Sequence, residues 1–262
     1  MNLASEKPRI ALLGMGKLGQ SLNLMLNKVG YSTKEWKRGE DIPSDCQIYW
    51  VTTNDANIGN VANLIAKGPL VIHSSGSLGL ECLAPHHNVG SLHPLQSFPG
   101  PSIALPNLKG VYASIDGSPS IKSTLSDIAK ELGMTPVEVS GDRATYHAAA
   151  VIAGNFATTL LYEATNVLKQ AGVSGDLAPK MLAPLMIASI NQATSGKIAD
   201  ALTGPIPRRD KRTLSKHIDT LSSQNIDTRL YRLLAQRSVD MLLAEGKLSI
   251  EESVSIIRTI DR

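Results

Sequence analysis

The chain has 262 residues, enough for one large or two modest domains with a buried core. Hydrophobic residues make up 42%, charged residues 19% and aromatics 4%, which excludes a disordered, collagenous or coiled-coil chain. The 26 basic and 23 acidic side chains leave a formal charge of +3, too close to balance to argue for a nucleic-acid partner.

Two cysteines, Cys46 and Cys82, make no disulfide framework and no CxxC pair, so a reducing compartment is expected and a metal site is not. No apolar run reaches the roughly 18 residues of a membrane span. The polar start Met1–Arg9 has no signal-like apolar core, and the expectation is a soluble cytoplasmic protein.

The first half alternates short β-type runs with helical stretches. The runs are Arg9–Leu13, Tyr31–Trp36, Ile48–Thr52, Leu70–His73, Val89–Leu92, Val111–Ile115 and Thr135–Val139. The helical stretches are Leu18–Val29, Ala56–Ala66 and Ser120–Leu132. Such alternation predicts an α/β fold, a Rossmann-type parallel sheet covered by helices. From Asp142 onward no strand is evident. One long helix is predicted from an N-cap at Asp142 to a stop at Gly172. Further helices are predicted at Leu177–Ser195, Thr213–Ser222, Asp227–Glu245 and Ile250–Ile260. The domains expected are therefore 1–141, dinucleotide-binding, and 142–262, all-helical.

The first strand runs into Gly14-Met15-Gly16-Lys17-Leu18-Gly19, a GxGxxG turn that opens a helix. Gly14 permits the tight turn, Gly16 lets backbone approach a pyrophosphate, and Gly19 lets helix pack on strand. The free N–H groups of the helix start then face the phosphates. The second strand ends Glu35-Trp36-Lys37-Arg38. Two cations stand where an NAD site would show an acid, and a guanidinium can grip a 2′-phosphate. NADP is therefore expected over NAD, with Glu35 as the rival ribose ligand. Strand ends at Thr52, Thr53 and Ser74 complete the expected crevice.

His93, stiffened by Pro94, ends the fifth strand and is a candidate proton donor. On a helix, His147, Val151, Gly154, Asn155 and Thr158 share one broad face. Gly154 inside a helix costs about 1 kcal/mol against alanine, which suggests a close approach there. A buried Asn155 needs a partner for its amide, either a ligand or backbone. The loop Thr203-Gly-Pro-Ile-Pro-Arg-Arg-Asp offers Arg208 or Arg209 for a substrate carboxylate, or for a structural pair with Asp210.

Taken together, the glycine turn, His73-Ser-Ser-Gly-Ser, Ser91-Leu-His-Pro-Leu-Gln-Ser-Phe, the stretch from His147 to Asn155, and Leu202-Thr-Gly-Pro with Arg208 and Asp210 carry a resemblance. They resemble the Rossmann-like proteins with an uncharacterised helical C-terminal domain, the DUF2520 group, over nearly the whole chain. That group is similar in plan to pyrroline-5-carboxylate reductase, ketopantoate reductase and the β-hydroxyacid dehydrogenases. The resemblance implies hydride transfer from NAD(P)H and a homodimer built through the helical domain. Some members look like an alternative ketopantoate reductase of pantothenate synthesis, which implies a small 2-oxo acid as substrate. In that reading His147 or His93 protonates the alkoxide, Asn155 orients the carbonyl and Arg208 holds the carboxylate. A cyclic-imine reductase and a non-catalytic NADP-binding module are the alternatives. Two departures stand out: Val151 occupies the position of the dehydrogenases' catalytic lysine, and Arg209 stands where the family's loop has glycine.

Overall fold

The computed structural model describes residues 7–102 and 104–262, so residues 1–6 of the polar start lie outside the described residues. Among the described residues, seven strands form one sheet. They are β1 (Ile10–Leu13), β2 (Thr33–Trp36), β3 (Ile48–Val51), β4 (Leu70–His73), β5 (Val89–Pro94), β6 (Tyr112–Gly117) and β7 (Thr135–Glu138). Their order is β2-β1-β3-β4-β5-β6-β7. The α/β expectation holds. The sheet is parallel except where β6 returns antiparallel beside β5, so it is mixed rather than purely parallel.

Strands β1, β3 and β4 are buried along their whole length, which is why Ile-Ala-Leu-Leu and Ile-Tyr-Trp-Val read as unbroken apolar runs. Helices α1 (Lys17–Lys28), α2 (Asp55–Ala62) and α3 (Pro119–Glu131) cover the sheet. Leu22 and Leu26 of α1 and Leu125 and Ile128 of α3 join Ile10, Leu12 and Trp50 in one buried cluster. Ile58 and Val61 of α2 join Ala11, Leu13 and Val51 in another. Each such leucine, taken fully out of water, contributes about 1.5–3 kcal/mol. The chain leaves β1 towards β2 on one side, then crosses to β3 on the other. The reversal of order beside β1 opens a crevice at the carboxyl ends of β1 and β3, where open α/β sheets hold their ligands.

The long helix predicted from Asp142 to Gly172 is two helices, α4 (Arg143–Ala153) and α5 (Asn155–Gln170). Asp142 is the N-cap, its carboxylate accepting from the Thr145 N–H at 2.7 Å. The break falls at Gly154 (φ −98°, ψ −66°), the residue of lowest helix propensity in the run. The two compact units of the chain divide between Phe156 and Ala157. Helix α4 thus groups with the sheet, although the sequence reading assigned it to the second domain.

In the second unit, α6 (Ala178–Thr194), α7 (Lys211–Ser223), α8 (Arg229–Ala244) and α9 (Ile250–Ile260) follow the predicted helical stretches closely. Leu214 of α7, Val239 and Leu242 of α8, and Ile256 and Ile260 of α9 form its core. Ser249 and Glu252 close a capping box on α9. Arg209 has φ +57°, a left-handed conformation that glycine adopts at less cost. Its guanidinium is spent locally, on Glu252 and on the carbonyls of Pro207 and Lys247.

Candidate active site

The carboxyl end of the sheet carries two adjoining features within the first unit. The first is the glycine turn between β1 and α1. Gly14 has φ +118°, and a Cβ there would lie 2.7 Å from Thr53 Cγ2. At Gly19 a Cβ would meet the Gly14 carbonyl oxygen at 2.0 Å, so helix and turn touch backbone to backbone. Thr52 donates its hydroxyl to that same carbonyl at 2.6 Å and pins the turn. The start of α1 has no side-chain cap, which leaves its first N–H groups for a ligand.

Gly14, Met15, Trp36, Lys37, Arg38 and Thr53 line a cleft of about 300 Å³. The β2 tip predicted to read the ribose end therefore does meet the glycine turn. Among the described residues, the Lys37 and Arg38 side chains make no hydrogen bond or ion pair, and both are exposed. Glu35 instead accepts from Asn23 of α1 at 2.5 Å. Trp36 is a buried wall whose indole N–H donates to the Glu40 carbonyl at 2.8 Å.

The residues present fit a dinucleotide. Open space surrounds the position a Gly16 Cβ would take. The Thr53 hydroxyl is buried on the cleft without a partner, and two unpaired cations stand at the ribose end. Other expected contacts are limited. Leu18 packs on the core, so it offers a ligand only backbone, and Lys17 is exposed beside the turn. Ser74 does not fit the cofactor role assigned to it. It is buried, and its hydroxyl donates to the Leu92 carbonyl at 2.8 Å while accepting from the Trp50 indole at 2.7 Å.

The second feature is a cavity of about 790 Å³ lined by the end of β5 and by α4. His93, Tyr146, His147, Val151, Gly154 and Asn155 all line it. Four residues of the helix face drawn from the sequence, His147, Val151, Gly154 and Asn155, line this cavity; Thr158, beyond the break at Gly154, is not among the lining residues. Val151, in the place of the dehydrogenases' lysine, leaves that part of the wall apolar.

Nδ1 of His93 lies 3.0 Å from the Tyr146 hydroxyl, and its ring meets that of His147 edge-on at 6.2 Å between centroids. Gly76, at the end of β4, fits beneath the two imidazoles. A Cβ there would come within 2.7 Å of His147 Cδ2 and 2.9 Å of His93 Nε2. The β4 loop that holds Gly76 is laced to α2, where Ser75 and Ser77 both donate to Asp55 at 2.9 and 2.7 Å.

Arg143 sets the electrostatics. Its guanidinium donates to the Ser75 carbonyl at 3.1 Å and the Ser114 hydroxyl at 3.2 Å. It also lies 5.4 Å from the Tyr146 ring centre. Among the described residues it has no carboxylate partner. Burial first, and the Arg143 charge second, push His93 down from the usual 6.5 to about 4. The same two causes push the fully buried His73 to about 4. The His73 Nδ1 accepts from the Ser75 N–H at 3.1 Å, which places its own proton on Nε2. His93 is thus a neutral imidazole at physiological pH.

The sequence reading gave no role to Arg143 or Tyr146, and placed Asp55 and Gly76 only among the polar strand ends of a cofactor crevice. Arg143 did leave a signal. A cation in the first turn of a helix opposes the macrodipole, so its presence there calls for a separate reason. Arg208 lies on an exposed turn of the second unit. Its neighbour Arg209 is the structural arginine of the pair.

Residues 111–238 match the family model described as "Domain of unknown function (DUF2520)". No curated protein matches the sequence. Among solved structures, a candidate NADP oxidoreductase from Bacteroides fragilis is 21% identical with a TM-score of 0.73, covering 89% of this chain and 98% of its own. A reductive aminase from Aspergillus terreus, in complex with NADPH and ethyl levulinate, is 15% identical with a TM-score of 0.66. It covers 96% of this chain and 99% of its own. Pyrroline carboxylate reductase from Plasmodium falciparum with NADP bound is 12% identical with a TM-score of 0.59, covering 92% and 98%. The chain is therefore similar to that family model over residues 111–238 and shares the fold of these solved structures.

Proposed function

We propose that the protein is an NADPH-dependent reductase of a small, uncharged imine. The observation that carries this reading is the character of the 790 Å³ cavity. Among the described residues its lining is aliphatic, aromatic, amide, imidazole and hydroxyl, with no lysine, arginine, aspartate or glutamate. A 2-oxo acid such as ketopantoate needs a cation for its carboxylate, and the lining in the first unit offers none. Arg143 is close but does not line the cavity; it gives one N–H each to Ser75 and Ser114, and its Nε–H is buried without a partner. The solved imine reductases and pyrroline carboxylate reductase with this fold support the same choice of class.

In this reading the N–H groups opening α1 hold the diphosphate, while Lys37 and Arg38 hold the 2′-phosphate. When bound, the reduced nicotinamide supplies a hydride. The chain's own groups do the rest. Val151, Gly154 and the apolar wall exclude water. Asn155 orients the substrate, and a neutral imidazole–phenol pair faces the reacting bond.

A homodimer through the helical unit belongs to the same proposal. Helices α5 and α6 each bury a single residue, Thr165 and Ala178. Met181, Leu185, Ile187 and Ile190 of α6 are all exposed in the single chain.

Nicotinamide absorbance would be followed with purified protein, NADPH and three substrates: pyrroline, pyrroline carboxylate and ketopantoate. The reading predicts turnover of pyrroline above the two carboxylates. Turnover of ketopantoate alone would restore the 2-oxo acid reading. NADPH binding without turnover of any imine would favour a non-catalytic module.

A further inference from the structure

Among the cavity's polar groups, the Tyr146 hydroxyl has its place set by neighbours from both the strand and the helix. His147 makes no hydrogen bond among the described residues, and its ring is held by its edge contact with His93 rather than by a polar partner. His93 is neutral at physiological pH and has no cationic proton to give. Tyr146 differs from both. Its hydroxyl is held at 3.0 Å by His93 Nδ1, the edge of its ring meets His93 at 82°, and the Arg143 guanidinium lies over it at 5.4 Å. Those three residues come from β5, the first turn of α4 and the turn above it. Through Arg143 they are tied to Ser75 on the β4 loop and to Ser114 on β6.

The chemistry needs such a group. The burial and the Arg143 charge that keep His93 neutral also oppose a cationic iminium in the free cavity. An imine would therefore enter uncharged and must gain one proton alongside the hydride.

Resting on the imine reading above, we propose that Tyr146 is the catalytic acid of this site, with His93 and Arg143 as its positioning residues. The imine carbon receives the hydride and its electron pair from the reduced nicotinamide. The π pair of the C=N bond moves to nitrogen and takes the Tyr146 proton, which gives the neutral amine. The tyrosinate left behind sits beside the Arg143 cation. It recovers a proton from His93 Nδ1 while His93 Nε2 takes one from water, so the imidazole ends neutral as the Nε2–H tautomer and returns to the Nδ1–H form by proton exchange with water before the next turnover. The sum is imine, NADPH and one proton from water giving amine and NADP⁺.

The test separates a proton donor from a structural phenol. Two substrates of nearly equal shape are compared above the imine's own pKa: neutral pyrroline, and N-methylpyrrolinium, which is permanently charged and needs no proton. Tyr146→Phe is expected to lower the ratio of pyrroline to pyrrolinium turnover about 100-fold or more. His93→Asn, which leaves the phenol without its ring partner, should move that ratio the same way by a smaller factor. A second readout needs no turnover. With oxidised cofactor present, the nitrogen resonance of labelled pyrroline should move towards the iminium position in the wild type and not in Tyr146→Phe.

Equal losses for both substrates, or none for either, would overturn the role of Tyr146, as would a nitrogen shift that survives the substitution. If Tyr146→Phe fails to fold, as shown by loss of NADPH binding, the His93→Asn ratio decides. Wild-type protein that turns over neither substrate refutes the imine reading itself, and the assignment of Tyr146 falls with it.

Discussion

Nδ1 of His93 and the hydroxyl of Tyr146 stand 3.0 Å apart across the wall of one cavity. The pair joins the end of a strand to the second turn of a helix that begins 49 positions further along the chain. Gly76 lies beneath the imidazoles of His93 and His147, where a Cβ would come within 2.9 Å of both. The site therefore depends on a residue that has no side chain to contribute.

Gly76→Ala tests that dependence. Its methyl would fall 2.7 Å from His147 and 2.9 Å from His93. Contacts that short force the rings to move, and a displacement near 1 Å can cost about 100-fold in rate. Imine turnover should fall by that order while calorimetric NADPH affinity stays close to wild type, because the glycine turn is built from other residues.

Cofactor choice rests on Arg38. Loss of a charge-assisted contact to the 2′-phosphate, in Arg38→Ala, should weaken NADPH about tenfold and leave NADH within about twofold. Dissociation constants for the two nucleotides, measured on both proteins, check this. A ratio that does not change would remove Arg38 from the role.

His73 and His93 make stability depend on pH. Both are held at about 4 in the folded chain against 6.5 when free. Between those values the unfolded chain binds protons that the folded chain does not. Stability is thus fully present above about pH 6.5 and is lost as the pH falls towards 4, by on the order of 3 kcal/mol for each histidine at most. Urea midpoints should fall across that window, and His73→Gln should flatten the fall.

Arg209 carries a left-handed backbone conformation at φ +57° together with a guanidinium clamp on Glu252 and two carbonyls. Arg209→Ala keeps the strain and loses the clamp, whereas Arg209→Gly loses both. The glycine variant should therefore unfold at the higher temperature of the two. The reverse order would mean that the backbone strain is negligible.

Much of the fold could be read from the chain, for a physical reason. Central parallel strands are buried on both faces, so Ile48-Tyr-Trp-Val and Leu70-Val-Ile-His announce themselves without context. The glycine turn was equally legible, since sterics demand glycine at 14 and 19. The antiparallel return of β6 was not, because one strand's composition does not encode its neighbour's direction. The break at Gly154 was written as a propensity cost and read as a close approach instead. In the site, His93, His147 and Asn155 were found by residue type. Tyr146 and Arg143 were passed over because their roles come from partners distant in sequence, at 93, 75 and 114. Ser74 was chosen for its position at a strand end, but nothing local shows that Trp50 and Leu92 occupy its hydroxyl.

The most direct measurement is a calorimetric titration of the intact protein with NADPH, repeated on Gly16→Val. The account predicts saturable binding to the wild-type chain. The valine should weaken it severely, because the added side chain fills the open space where the diphosphate would lie against α1. Absence of saturable heat with either NADPH or NADP⁺, or a valine variant that binds as the wild type does, would contradict it.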